Sequence, residues 1–194
     1  MALIKRLCLY CGASERTDQV YRAAAREVGR LVAEAGIELV YGGGRVGLMG
    51  LAANAALQAG GHVIGIIPNH LHEAEIGHHA VSELLVVESM HERKQRMFEL
   101  SDAFAVLPGG LGTLDETFEI ITWRQLGLHD KPIVIVDVAG YWQPFQVMID
   151  HIIAANFASA ATRRLYHRVE RVEDLLPALA ASREPGLAAR TGLV

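Results

Sequence analysis

Two kinds of apolar pattern alternate along the chain. Short runs of consecutive apolar residues, such as residues 103–107 and 133–136, are typical of strands buried on both faces. Between these runs, apolar residues recur at the spacing of a helix that buries one face. The pattern predicts strands over residues 3–10, 37–41, 62–67, 84–87, 103–107, 133–136 and 165–169, and helices over residues 17–35, 47–59, 90–100, 113–126, 142–156 and 172–181.

This alternation favours an α/β fold in which a doubly wound, mostly parallel sheet carries helices on both faces. Ligands bind outside the carboxyl ends of the strands in such sheets, so residues that follow strands are the first candidates for a site. Residues 69–82 have no clear period and are expected to form a long loop, a feature that is often functional. We expect one domain over residues 1–181 and a loose tail over residues 182–194.

Composition and charge exclude several classes of protein. Hydrophobic residues make up 51% of the 194 residues and mean hydropathy is +0.22, unlike a disordered chain. The formal net charge of −4 offers no basic excess for nucleic acid or a membrane surface. Cys8 and Cys11 are too few for a disulfide framework. Because we find neither a signal peptide nor an apolar run that could span a bilayer, we expect a cytoplasmic protein.

A first glycine cluster, Gly42–Gly44 with Gly47, forms a G-x-G-x-x-G pattern between a predicted strand and a predicted helix. Such a turn can bring backbone N–H groups close to a phosphate, and Gly43 and Gly44 are candidate nucleotide contacts. The dinucleotide fingerprint also needs an acid about 20 residues further on. The end of the next strand, Ile-Ile-Pro-Asn over residues 66–69, has none, which argues against an NAD site. The alternative is a turn that only allows close strand–helix packing.

The second glycine cluster, Pro-Gly-Gly-Leu-Gly-Thr-Leu-Asp-Glu over residues 108–116, is more specific. Its consecutive backbone N–H groups could form a concave anion site suited to a phosphate. In the alternative interpretation, Thr113 and Glu116 form a capping box at the start of a helix. A carboxylate at the rim of an anion site is unfavourable unless the chemistry needs it, and that position makes Glu116 a candidate for catalysis.

A positively charged residue falls on an apolar helix face. Met90, Met97 and Leu100 form the apolar stripe of the helix predicted over residues 90–100, and Arg93 lies on that stripe. A buried guanidinium needs a carboxylate or phosphate partner, because an unpaired buried charge is costly. The alternative is that Arg93 extends to the surface. Ser89 and Glu92 fit a capping box at the start of this helix.

Two other groups of residues suggest no site. The histidines of the predicted loop match no common zinc spacing, and we predict no metal ligand among them. Cys8 and Cys11 have C-x-x-C spacing, but Cys8 belongs to a strand rather than to a helix start, which argues against redox chemistry. The histidines are His70, His72, His78 and His79.

Three motifs in order resemble the LONELY GUY family of cytokinin-activating phosphoribohydrolases. They are Tyr-Gly-Gly-Gly-Arg-Val-Gly-Leu-Met-Gly over residues 41–50, Met-His-Glu-Arg-Lys over residues 90–94, and the cluster over residues 108–116. The resemblance implies a modified Rossmann fold, a homodimer with sites near the subunit interface, and no cofactor. It also implies hydrolysis of the N-glycosidic bond of an adenosine 5′-monophosphate, plain or N6-substituted. Family members are often labelled lysine decarboxylases, but this sequence shows no motif for a pyridoxal-phosphate lysine.

The family's motifs assign roles to particular residues of this chain. The resemblance implies that Arg93 and Glu116 are the catalytic pair. It implies substrate contacts from Glu75, Arg93, Lys94, Gly110, Leu111, Gly112, Thr113, Leu114, Asp115, Glu116 and Thr122. Two other functions stay open: a nucleotide or molybdenum-cofactor carrier that uses the same phosphate loop without turnover, and an NAD oxidoreductase.

Overall fold

A computed structural model describes residues 4–73 and 77–182 of the chain. The strands in these residues are β1 (Arg6–Tyr10), β2 (Glu38–Tyr41), β3 (Val63–Pro68), β4 (Glu83–Val87), β5 (Ala103–Val106), β6 (Ile133–Val136) and β7 (His167–Val169). The α-helices are α1 (Gln19–Glu34), α2 (Gly47–Gln58), α3 (Asn69–Glu73), α4 (Met90–Leu100), α5 (Leu111–Gln125), α6 (Gln143–Ala154) and α7 (Leu175–Ala181). Helices thus alternate with strands, as the apolar pattern predicts.

All seven strands of the described residues form one sheet in the order β4-β3-β2-β1-β5-β6-β7, and every neighbouring pair is parallel. From β1 the chain proceeds outward through β2, β3 and β4, then crosses back to β5 on the other side of β1. The strand order therefore reverses between β1 and β5. In a doubly wound sheet this reversal opens a crevice at the carboxyl ends of the two strands.

Each face of the sheet carries its own apolar core. Leu7 and Leu9 of β1 point into the core under α1, α2 and α7, whereas Cys8 and Tyr10 point into the core under α4, α5 and α6. Successive side chains of a strand point to opposite faces, so a strand covered on both sides must be apolar throughout. The predicted fold class, a doubly wound parallel sheet with helices on both faces, is confirmed.

Several predicted bounds differ from the structure by two or three residues, and two of the differences lie near the cavity. The loop predicted over residues 69–82 begins with the short helix α3, and Gly77 pairs with Gly44 through an isolated antiparallel bridge. Helix α5 begins two residues earlier than the predicted residue 113, because the glycine turn leads directly into helical backbone. The predicted tail lies outside the described residues, apart from Ser182. Within residues 4–73 and 77–182, none of the helices is long and apolar enough to span a membrane.

Candidate active site

A cavity of about 610 Å³ opens at the carboxyl ends of β1 and β5, where the strand order reverses. The turns after these two strands contact each other, since Gly12 N–H donates a hydrogen bond of 3.0 Å to the carbonyl of Pro108. The turn after β2 contributes Gly42, and α4 contributes Arg93. The cavity therefore occupies the place where this fold binds ligands.

The second glycine cluster forms one wall of the cavity. Gly110 is the N-cap residue of α5, and no side chain caps this helix end. A Cβ atom placed on Gly110 or Gly112 would meet open space, so neither glycine is needed for packing. The first N–H groups of a helix have no partner within the helix and carry a partial positive charge, which favours an anion at this position.

The capping-box alternative for this cluster is wrong. Thr113 lies inside α5 rather than at its N-cap, and its carbonyl accepts a hydrogen bond of 2.6 Å from the Thr117 hydroxyl. Glu116 lies on the buried face of the helix, one turn further on. The carboxylate of Glu116 is therefore free of a capping role and available to partners across the cavity floor.

That partner is Arg93. Its Nη1 donates to Oε1 of Glu116 at 2.9 Å, and the side chains are only 10% and 9% exposed. Its Nε donates to the carbonyl of Ile66 at 3.2 Å, and its Nη2 donates to the carbonyl of Gly42 at 3.4 Å. The guanidinium is thus held by one carboxylate and two backbone carbonyls, which compensates for the cost of burying its charge.

Local sequence explains the position of Arg93. The Ser89 hydroxyl accepts a hydrogen bond of 3.1 Å from Glu92 N–H, which confirms the predicted cap and starts α4 directly after β4. Arg93 and Met97 are the buried residues of α4, one helical turn apart. The alternative in which Arg93 extends to the surface is therefore wrong. A side chain on Gly42 would overlap the guanidinium, so only glycine leaves Arg93 in this position.

The environment of Glu116 changes its proton affinity. Burial raises the pKa of the Glu116 carboxyl to about 7, and the nearby Arg93 charge opposes part of this rise. A carboxyl with a pKa near neutrality can accept and release a proton under physiological conditions. Strongly perturbed acids inside a cleft are typical of catalytic sites.

The structure brings some of the predicted site residues together and leaves others apart. Arg93, Gly110, Gly112, Thr113 and Glu116 line the cavity. Seven others do not line it: Gly43, Gly44, Lys94, Leu111, Leu114, Asp115 and Thr122. Glu75 lies outside the described residues.

The residues away from the cavity have other contacts. The Lys94 ammonium is bound by Asp115 at 3.0 Å and by Glu119 at 3.1 Å, and these ion pairs tie α4 to α5. Gly43 packs against β3, and its carbonyl accepts a hydrogen bond of 2.9 Å from His78 N–H. The Thr122 side chain is exposed on α5. Their roles as substrate contacts stay predictions.

Two parts of the cavity wall belong to none of the sequence motifs. The segment from Ala13 to Asp18, which follows β1, and the ring of Tyr141, which follows β6, both line the cavity. The strand order would have predicted the segment after β1, because β1 is one of the two strands at the reversal. Tyr141 carries no motif, and only the tertiary contact reveals it.

The fold and the cavity define a class: a Rossmann-like protein with an uncapped helix N-terminus at its strand-order reversal and a buried acid–arginine pair beside that helix end. A family model described as a possible lysine decarboxylase matches residues 49–179. The cytokinin riboside 5′-monophosphate phosphoribohydrolase of Rhodococcoides fascians is 45% identical over 182 residues, which are 93% of this chain and 90% of the relative. The rice (Oryza sativa subsp. japonica) protein LOG, of the same description, is 45% identical over 161 residues, 83% of this chain and 66% of its own length.

The chain belongs to this LOG family, and the predicted resemblance is confirmed. Among solved structures, the molybdenum cofactor binding protein of Rippkaea orientalis has a TM-score of 0.69 at 22% identity and covers 93% of this chain and 98% of its own. The molybdenum cofactor carrier protein of Chlamydomonas reinhardtii has a TM-score of 0.70 at 22% identity, with 91% of this chain and 96% of its own covered. At this identity the likeness shows a shared fold and nothing about the ligand.

Proposed function

We propose that the protein hydrolyses the N-glycosidic bond of adenosine 5′-monophosphates, plain or N6-modified, and releases the free base and ribose 5-phosphate. The observation that carries this proposal is the pairing of Glu116 with Arg93 directly beside the uncapped N-terminus of α5. A phosphate at that helix end would place the ribose beside the carboxylate. The names of the relatives at 45% identity point to the same reaction.

The phosphate supplies the orientation in this mechanism. Backbone N–H groups from Gly110 to Thr113 would bind the 5′-phosphate through hydrogen bonds and the helix dipole. A bound phosphate holds the ribose in position for attack. Such positioning can remove a large part of the activation barrier. The same anchoring predicts a preference for nucleotides over nucleosides.

The carboxylate of Glu116 then acts on the reacting carbon. The bond between C1′ of the ribose and the base nitrogen breaks through a transition state with positive charge on the sugar ring. An ionised Glu116 stabilises that charge and accepts a proton from the attacking water. Water thus supplies the hydroxyl of C1′ and, in net, the proton that the departing base gains.

Arg93 orients the acid in this scheme. A guanidinium keeps its proton in proteins, so we assign Arg93 no proton transfer. Its three hydrogen bonds fix the Glu116 carboxylate relative to the turn after β2 and to strand β3 itself. The pair therefore works as one preorganised unit.

Incubation with AMP and with N6-isopentenyl-AMP tests the proposal, with free base and ribose 5-phosphate measured by chromatography. Base release in a one-to-one ratio with ribose 5-phosphate is the expected result. Tight nucleotide binding without base release would instead favour a carrier function. NADH titration followed by fluorescence tests the oxidoreductase alternative in the same preparation.

We also propose a homodimer, since the outer surface between α4 and α5 has an apolar groove that contains Phe98, Trp123 and Leu128. The Leu128 side chain is 66% exposed in the single chain, and an exposed apolar surface of this kind is typical of an interface. Light scattering after size-exclusion chromatography measures the oligomeric state. Cytoplasmic location stays a prediction, and fractionation of the source cells tests it.

A further inference from the structure

We propose that Tyr141 is a positioning residue for the phosphate, because its hydroxyl holds the turn that binds the anion. The Tyr141 hydroxyl donates a hydrogen bond of 2.7 Å to the carbonyl of Gly109. Tyr141 comes from the turn after β6, and Gly109 comes from the turn after β5. The contact therefore crosses between two loops at the carboxyl end of the sheet. This inference rests on the proposed function for the identity of the anion.

The peptide group that Tyr141 holds also contains a candidate phosphate donor. The carbonyl of Gly109 and the N–H of Gly110 belong to one planar peptide unit, and all peptide bonds of the described residues are trans. In a trans peptide the carbonyl and the N–H point in opposite directions. A hydrogen bond that fixes the carbonyl of Gly109 thus also fixes the direction of the Gly110 N–H, at the uncapped end of α5.

The preceding peptide unit is fixed from another loop. Gly12 N–H, after β1, donates a hydrogen bond of 3.0 Å to the carbonyl of Pro108, whose peptide unit contains the N–H of Gly109. Hydrogen bonds from two other loops therefore hold two consecutive peptide planes of the glycine turn. A glycine turn has few intrinsic restraints on its backbone, so such external bonds determine how well its N–H groups are preorganised.

Tyr141 is itself held in a defined position. The buried carboxylate of Asp137 accepts a hydrogen bond of 2.6 Å from Trp142 N–H and one of 2.9 Å from Arg168. The aromatic ring of Tyr141 lies edge to face with Tyr21 and with Trp142, at centroid distances of 5.5 and 5.0 Å. The hydroxyl thus projects from a fixed ring on a fixed turn.

The variant Tyr141→Phe removes the hydroxyl and keeps both ring contacts. Tyr166→Phe is the matched control, because the Tyr166 hydroxyl donates to Gln146 at 3.1 Å, away from the cavity. The measurements are the dissociation constants of ribose 5-phosphate and of adenosine by calorimetry, and the melting temperature. We expect Tyr141→Phe to weaken ribose 5-phosphate binding by about three- to tenfold, the range for one hydrogen bond, with adenosine binding unchanged. The control should bind both ligands as the unmodified protein does.

Several results would overturn this inference. Unchanged ribose 5-phosphate affinity in Tyr141→Phe would do so, as would an equal loss of adenosine affinity, which would indicate a general distortion of the cavity. Failure of the unmodified protein to bind ribose 5-phosphate would remove the anion site altogether. The binding assays need no turnover, so the role of Tyr141 can be measured even if AMP is not cleaved and the proposed reaction is wrong.

Discussion

The two glycine turns of this protein look alike in sequence and differ in what surrounds them. Each follows a parallel strand, and each leads into a helix. In the turn after β2, a side chain on Gly42 would overlap the Arg93 guanidinium, and one on Gly43 would press against β3 at the Ile66 carbonyl. After β5, a Cβ atom on Gly109 would overlap the Thr113 side chain, but one on Gly110 or Gly112 would meet no atom within 4 Å.

This difference shows two uses of glycine. Protein atoms occupy the space beside the glycines of the first turn, namely a buried guanidinium and a neighbouring strand. The second turn is open at Gly110 and Gly112, and both of these glycines line the cavity. A glycine that packs against protein positions catalytic groups, whereas a glycine that faces empty space allows a ligand to approach the backbone.

The strongest test concerns the acid that the second turn places in the cavity. We expect Glu116→Gln to lower kcat for AMP by roughly 10²- to 10⁴-fold, since it removes both the proton acceptor and the negative charge. Base release by chromatography measures kcat, and calorimetry checks that AMP still binds. Glu27→Gln is the control, a glutamate of α1 that pairs with Arg30. Near-normal release by Glu116→Gln would remove this residue from the mechanism.

The next test targets the first turn. Gly42→Ala should displace the Arg93 guanidinium, whose flexible end can move, so we expect a kcat loss on the order of 10²-fold from a misplaced acid–arginine pair. Ribose 5-phosphate binding should be retained, because the turn after β5 is untouched. Loss of binding together with loss of turnover would contradict the division of roles between the two turns.

Acidity should affect turnover through Glu116. Burial raises the pKa of the Glu116 carboxyl to about 7 in the ligand-free protein, and the proposed mechanism uses the ionised form. We therefore expect kcat/KM to fall as pH drops below this value, about tenfold per pH unit. Rates are measured from about pH 5 to about pH 9. The phosphate monoester of the substrate also titrates, with a second pKa of about 6. Binding of AMP to Glu116→Gln over the same range isolates the contribution of the substrate. A flat kcat/KM profile, after correction for the substrate, would contradict the assignment.

The smallest expected effect concerns the open turn. Gly110→Ala adds a methyl group into empty space at the N-cap, where φ is −92°, so it makes no clash. Because alanine is a poorer N-cap residue than glycine, we expect the melting temperature to fall by only about 2 to 4 °C. Ribose 5-phosphate affinity should fall by about three- to tenfold as the methyl group crowds the anion. The Arg93–Glu116 pair stays intact, and kcat at saturation should be nearly normal. The pattern is the reverse of that expected for Gly42→Ala, and identical behaviour of the two variants would refute the comparison.

The spacing of apolar residues along the sequence predicted most of the helices and strands. The bounds of α4 and β6 agree with the prediction, since α4 begins at the Ser89 cap and β6 is an uninterrupted apolar run. The start of α5 did not, because Gly110 and Gly112 are poor helix formers and Thr113 resembles an N-cap. Helix α3 was missed because five residues are too few for a helical period to show.

The sequence by itself determined the class of fold, the two glycine turns, and the need of Arg93 for a partner. These follow from local chemistry: strand and helix periods, the backbone freedom of glycine, and the cost of burying an unpaired charge. Only the tertiary structure decided that the partner is Glu116, that Gly42 rather than Gly43 or Gly44 reaches the cavity, and that Tyr141 holds the second turn. Such pairings join residues far apart in the chain, and the order of strands in the sheet, rather than sequence spacing, brings them together.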